Sequence, residues 1–318
     1  MIGVVIDGCP AGVSLDLELM KKDMEKRRPG KKRGESPRNE EDEFEIVSGV
    51  MGNQTTGAPL TVLIRNRDAK PESYIPIQDI YRPGHANYTY QKKYGVFHQN
   101  GGGRASGRET AARVVAGAIA KQIISPIAIS AKVLEIGGQR DHHNQLIEEL
   151  EKKGDSVGAL IECRVQAMPI GLGEPIYEKL EAKLAYAMLS IPATKGFEIG
   201  EGFFAAKMYG SEHNDLFVLD ESAKAALASN HHGGVLGGIS TGEDLIFRVA
   251  FKPTSSLGKS QKSVNFLNEE VDLTLPEGSR HDVCIGLRAP PIVEAMTALV
   301  LCDLLLMNRC SKIDTSIL

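Results

Sequence analysis

The 318 residues contain no CxxC pair and no excess of charge of one sign, and their longest apolar stretch is interrupted. The five cysteines, Cys9, Cys163, Cys284, Cys302 and Cys310, are scattered and odd in number, which argues against a disulfide framework and against a zinc site. That usage fits a reducing cytoplasm, and no metal is expected. A formal charge of -4 and a pI near 6.1 give no overall attraction for nucleic acid or anionic lipid, so any phosphate site must be a local basic cluster. The run from Ala295 to Met307 is broken by Thr297, Cys302 and Asp303, and no signal-peptide pattern opens the chain. Neither a nucleic-acid nor a membrane partner is therefore expected.

With 42% hydrophobic residues the chain can bury a large core. Residues 1 to 13 contain IGVVIDGCPAG, a β-branched strand stopped by Gly and Pro, and a charged amphipathic helix is expected from Leu15 to Arg28. Lys21 to Arg33 carries eight Lys or Arg, a run that on composition alone reads as a solvated surface. Strands are expected over Phe44 to Val50 and Pro59 to Ile64, as an antiparallel pair. Ile80 to Gly107, rich in Gly, aromatics and histidines but without periodicity, reads as a long ordered loop with a functional role. Helical spacing predicts buried helices over Glu109 to Ile124 and from Leu180 to Ile191, an exposed helix over Asp141 to Lys153, and a last helix over Pro290 to Met307. Ala159 to Gln166 and Leu245 to Phe251 read as strands. This irregular alternation favours an α+β layered fold over a doubly wound sheet.

Three general motifs fail on context. GISTG matches the serine-hydrolase elbow around Ser240, but that turn must leave a strand and enter a helix, whereas here a strand follows. LGKS lacks the earlier glycine of a phosphate-binding P-loop, since Pro253 stands in its place. GGGRASG has no preceding apolar strand for a dinucleotide fold. A different anion chemistry remains: Arg104, Ser106 and Arg108 precede a helix whose N–H groups and dipole favour a phosphate. Lys252 to Ser256 adds a cation and three hydroxyls in a turn. His85, in RPGHANYTY, would be kept neutral by nearby arginines yet could take a proton when a dianion binds. His281 is followed by Asp282, which could orient it.

Read in order, IGVVIDGCPAG, RRPGKKR, RPGHANYTYQKKYG, GGGRASGRETAARVVAGAIAK, GDSVGA, GLGEPIYEKLEAKLAYAMLSI, KGFEIGEGF, GSEHND, SNHHGGVLGGISTG, KPTSS and RHDVCIGLRA resemble the chorismate synthase family from Ile2 to nearly the C-terminus. The resemblance implies one α+β domain over 1–318, with a helical layer sandwiched between antiparallel β-sheets, and a homotetramer. It implies a carbon–oxygen lyase acting on 5-enolpyruvylshikimate 3-phosphate with reduced FMN, in aromatic amino-acid biosynthesis. FMN would be held by Arg104, Ala105, Ser106, Pro192, Ala193, Gly237, Lys252, Pro253, Thr254, Ser255, Ser256 and Arg280. Arg27 and Arg33 match positions assigned in the family to a nicotinamide dinucleotide phosphate; with Arg108 they also suit the phosphorylated substrate. His85 matches the histidine expected to protonate the leaving phosphate, and Asp282 an acidic residue expected near flavin N5. NADPH enters only as a reductant, in place of an external flavin reductase.

The implied reaction is an anti 1,4-elimination whose C6–H is weakly acidic, so the cofactor carries the hard step and the protein supplies position and charge. Two departures from the family pattern stand out. About twenty residues, including a GESHG segment with a histidine expected at flavin N1, would precede Met1, which implies either an upstream start or an impaired flavin-binding homologue. The phosphate loop reads Arg104-Ala105-Ser106-Gly107-Arg108-Glu109 where the family has RSSARE, and Ser125 to Asp141 is shorter than in many relatives.

Overall fold

The computed structural model describes residues 1–30, 33–97, 103–276, 279 and 281–312. Along the chain the main elements are strand β1 (Ile2–Ile6), helix α1 (Leu17–Arg27), β2 (Phe44–Ser48), β3 (Leu60–Ile64), α2 (Asn87–Tyr94), α3 (Thr110–Ile123), β4 (Ala128–Ile136), α4 (His143–Lys153), β5 (Ala159–Gln166), α5 (Leu180–Leu189), β6 (Thr194–Ile199), β7 (Leu245–Phe251) and α6 (Pro290–Asn308). β1, β3 and β2 form one antiparallel sheet in the order β1-β3-β2; a second, four-stranded antiparallel sheet runs β4-β5-β7-β6.

Alternation makes each sheet one-sided. Leu60, Val62 and Ile64 of β3, Ile161, Cys163 and Val165 of β5, and Leu245, Phe247 and Val249 of β7 are fully buried. Between the sheets lies a helical layer: α3 packs on the first sheet and on α1, while α6 packs on α3, on α5 and on β4 and β5. α3 and α6 approach closely because Gly117 meets Ala295. A Cβ on Gly117 would stand 2.3 Å from that of Ala295, so the crossing admits no larger residue without displacement. α6 is long and apolar enough to cross a membrane, but here it is a core helix, with Val293, Thr297, Ala298 and Leu301 fully buried.

The outer face of the four-stranded sheet carries one rung of charge. Lys132, Glu162, Arg248 and Glu198 are register partners across all four strands and form consecutive ion pairs of 3.2, 3.6 and 3.2 Å. Since a one-residue slip would drive these charges into the core, the rung and the inward hydrophobics specify the same register.

The Ile80 to Gly107 region corrects the expectation of a loop, since α2 occupies Asn87–Tyr94. Its sequence, NYTYQKKY, has no apolar stripe, so periodicity cannot reveal it; only Asn87 is buried. Lysines in the last turn and Gly95 in the left-handed region close the helix instead. Most of Ser125 to Asp141 is the nine-residue strand β4, which pairs along β5.

Candidate active site

His85 is held by its own turn. Asn87, just inside α2, donates through Nδ2 to the Ile80 carbonyl (2.8 Å) and accepts the Arg82 amide (3.1 Å), which fixes the RPGH bend. The Asn87 amide then donates to His85 Nδ1 (3.1 Å), and Arg82 Nη2 lies 3.0 Å from Nδ1 and 2.5 Å from Nε2. Burial, then the positive charges of Arg82 and Lys252, push the imidazole down to about 3, so His85 is neutral at pH 7.

The hydroxyl-rich turn after β7 closes on this histidine from the other side. Lys252 Nζ donates to the Gly84 carbonyl (2.8 Å), and the Lys252 amide donates to the carbonyl of Ala193, drawing in the Pro192-Ala193 turn between α5 and β6 (2.9 Å). Thr254 Oγ1 donates to the Asp282 carbonyl (2.7 Å). Gly84 sits against Ser255, where a Cβ would already touch that side chain at 3.4 Å. Among the described residues no hydrogen bond occupies the hydroxyls of Ser255 and Ser256, which leaves donors free for a ligand. Asp282 itself is buried and fully engaged: Arg288 donates to it bidentately (2.9 and 2.6 Å) and the Ser36 amide donates to Oδ1 (2.9 Å).

Arg27 and Arg108 meet behind this region. Arg27 donates to Asp42 Oδ2 (2.8 Å), Thr110 Oγ1 (3.1 Å) and the Gly107 carbonyl (3.1 Å), and Arg108 donates to Asp42 Oδ1, to Asn66 Oδ1 and to the Arg65 carbonyl. Asp42 takes a left-handed φ of 52° to present its carboxylate to both. Burial first, then neighbouring guanidiniums, push Arg27 down to about 9 and Arg108 to about 10, so both stay charged at neutral pH. Ser106 caps the turn into α3 by accepting the Arg108 amide (3.2 Å), a local role compatible with the anion site that its position suggests.

The structure thus brings together His85, Pro192, Ala193, Lys252 to Ser256 and Asp282, with Arg27 and Arg108 in the adjoining buried network. It places Arg33 apart, on the surface against Glu148 and Glu151 of α4 (3.1 and 2.9 Å). Arg104 is exposed and Ala105 half-buried at the entry to α3, and Gly237 is exposed at a hairpin tip. No contact among the described residues joins these three to His85. Arg280 lies outside the described residues. Sequence reasoning missed Arg82, Arg38 and Arg288; Arg82, three residues before His85, was the one within reach of a motif argument.

The hydrolase reading of GISTG is excluded by geometry. Ser240 is buried, its Oγ donating to the Pro169 carbonyl (2.6 Å) and accepting the Leu172 amide (2.9 Å), so it has no general base and no access.

A family model described as chorismate synthase matches residues 1–306. The chain is 48% identical to the chorismate synthase of Protochlamydia amoebophila (strain UWE25), covering 98% of this chain and 94% of that protein. It is 45% identical to that of Prochlorococcus marinus (strain NATL1A), over 97% and 93% respectively. A solved structure described as a crystal structure of chorismate synthase superposes with a TM-score of 0.74 at 29% identity, over 96% of this chain and 88% of that one. The chain therefore belongs to the chorismate synthase family.

Proposed function

We propose that the chain is a carbon–oxygen lyase that eliminates phosphate from 5-enolpyruvylshikimate 3-phosphate to give chorismate, with reduced FMN as its flavin, in aromatic amino-acid biosynthesis. The observation that carries this reading is the juxtaposition of a neutral, partly buried His85 with Arg82 and Lys252 and with the hydroxyls of Ser255 and Ser256, which no hydrogen bond among the described residues engages. A cationic, hydroxyl-lined turn of this kind fits the phosphate and carbonyl edges of a flavin mononucleotide.

A reduced flavin, held by the turn from Lys252 to Ser256 and by Pro192 and Ala193, would supply redox chemistry with no net change in its own oxidation state. The chain's own residues supply binding and proton handling. Arg82 and Lys252 attract the substrate's phosphate, whose negative charge offsets their cations and favours the protonated imidazole, so that the proton affinity of His85 rises against the burial that chiefly lowers it. His85 then donates from Nε2 to the departing phosphate, once the phosphate draws Arg82 Nη2 away from that nitrogen, because Nδ1 accepts the Asn87 amide. Asp282, clamped by Arg288, offers a fixed carboxylate on the cofactor side.

Arg104, Ala105, Ser106, Pro192, Ala193, Gly237, Pro253, Thr254 and Arg280 complete the proposed flavin contacts. Arg27 and Arg108 act on the substrate through their field rather than by direct bonds, since Asp42 takes their guanidinium edges. A nicotinamide dinucleotide phosphate serving as reductant would draw on Arg33, the exposed member of the set; otherwise an external flavin reductase supplies the electrons. A homotetramer is supported by the exposed Phe203, Tyr209, Phe217 and Leu219, and a cytoplasmic location by free, unpaired cysteines.

The test is anaerobic phosphate release from 5-enolpyruvylshikimate 3-phosphate with reduced FMN supplied. Turnover with no net flavin oxidation supports the reading; bound flavin without turnover rejects it.

A further inference from the structure

The GDSVGA segment carries none of the proposed flavin or substrate contacts, yet it is bonded to two segments that do. Residues 154–158 join α4 to β5 and lie along the turn that follows β7. At the far end of that turn the Gly258 amide donates to the Gly154 carbonyl (2.9 Å), and Lys259 Nζ meets Asp155 Oδ2 at 2.5 Å. The two backbones come this close because neither glycine has a side chain: a Cβ on Gly154 would stand 3.0 Å from the Gly258 carbonyl carbon. Gly154 also ends α4 in the left-handed region, at φ 62°. At the near end Gly158 abuts the last residue of β7, where a Cβ would lie 2.6 Å from the Phe251 carbonyl oxygen. Between these contacts Ser156 Oγ donates to the Thr254 carbonyl (2.8 Å), and the Val157 amide donates to the Val283 carbonyl (2.9 Å). Thr254 Oγ1 in turn donates to the Asp282 carbonyl, so the three segments close a ring of hydrogen bonds around Thr254.

We infer that Ser156 is a positioning residue for flavin binding, its hydroxyl fixing the peptide between Thr254 and Ser255 and hence the direction in which the Ser255 and Ser256 hydroxyls are offered. The inference rests on the flavin role proposed for Lys252 to Ser256. That stretch has no helix or strand to hold its peptides, so each orientation depends on a contact from elsewhere. The Thr254 carbonyl has the Ser156 hydroxyl as its one partner among the described residues. Gly154 and Gly158 secure the ends of the turn through backbone contacts, whereas Ser156 reaches its middle with a side chain that can be exchanged without moving the glycines.

The test titrates the full, flavin-free chain with FMN, followed by flavin fluorescence, for wild type, Ser156→Ala, Ser156→Thr and Lys259→Met, beside their thermal midpoints. Ser156→Ala is expected to weaken FMN roughly three- to tenfold, as loss of one neutral hydrogen bond would, and the hydroxyl of Ser156→Thr to restore most of that loss. Lys259→Met removes only the solvent-screened ion pair at the end of the turn and should leave the affinity unchanged. Without flavin, the amides of Ser255 and Ser256 should exchange hydrogen faster in Ser156→Ala than in wild type. Ser156→Cys, a weak donor of similar size, carries the same expectation and serves where Ser156→Ala does not fold. A lowered thermal midpoint with unchanged FMN affinity would make Ser156 merely structural and overturns the inference. Absence of saturable FMN binding by wild type overturns it together with the proposed flavin; bound FMN without turnover overturns the proposed reaction alone.

Discussion

Two groups of arginines share the interior and keep opposite company. Arg27 and Arg108 converge on the buried carboxylate of Asp42, with further bonds to Thr110, Asn66 and backbone carbonyls. Arg82 has no such partner among the described residues; it faces His85 and an aromatic ring, across a cavity that Lys70 and His281 also line. Arg38 stands between the two, donating to Glu40 (2.6 Å) and Asn66 (3.1 Å) through Nη2 while its Nε is left unpaired. Guanidiniums paired with buried carboxylates hold the backbone of α1 and α3 in place, whereas Arg82, which meets no carboxylate among the described residues, is open to an anion that arrives from outside. Residue type does not distinguish the two groups, and only their partners do.

The sharpest way to break this comparison is at His85. His85→Asn should lower phosphate release by roughly 10²- to 10⁴-fold, the range for a positioned proton donor, while leaving flavin binding in place. If the paired group is architectural, Asp42→Asn, which keeps a residue tolerant of left-handed φ but removes the charge, should cost about 3 to 5 kcal/mol in urea unfolding.

The pH dependence of stability separates the groups further. The His85 pKa is depressed in the fold, from 6.5 to about 3, so the unfolded chain binds the extra proton between those values. Its contribution is therefore complete above pH 6.5 and is lost progressively as pH falls towards 3, with a limiting slope of about 1.4 kcal/mol per pH unit for one proton. His85→Asn should remove that part of the slope in unfolding experiments run at pH 4 to 7. The smallest effect belongs to Arg33, whose pairs with Glu148 and Glu151 are solvent-exposed. Arg33→Ala should leave the urea midpoint unmoved, and a rise in the KM for NADPH alone would mark it as the dinucleotide contact.

Much of the framework was legible before any coordinates. β5, α5 and β7 begin where alternation or helical spacing puts them, because each buries a regular face. α2 was not legible, since NYTYQKKY buries only Asn87 and owes its helix to end signals. Within the site, the motifs singled out His85, Lys252 to Ser256 and Asp282. They could not reveal that Arg288 clamps Asp282, since that depends on how the segment before α6 folds back.

The sequence by itself determined the family, the layered α+β class and the residue types available for phosphate chemistry, because these follow from ordered motifs and from the periods of strand and helix. Only the tertiary structure decided which cations are spent and which are available. How each cation is engaged depends on distances between segments far apart in the chain, as in the Arg108–Asp42 ion pair or the hydrogen bond from Lys252 to the Gly84 carbonyl, and composition carries no record of those distances.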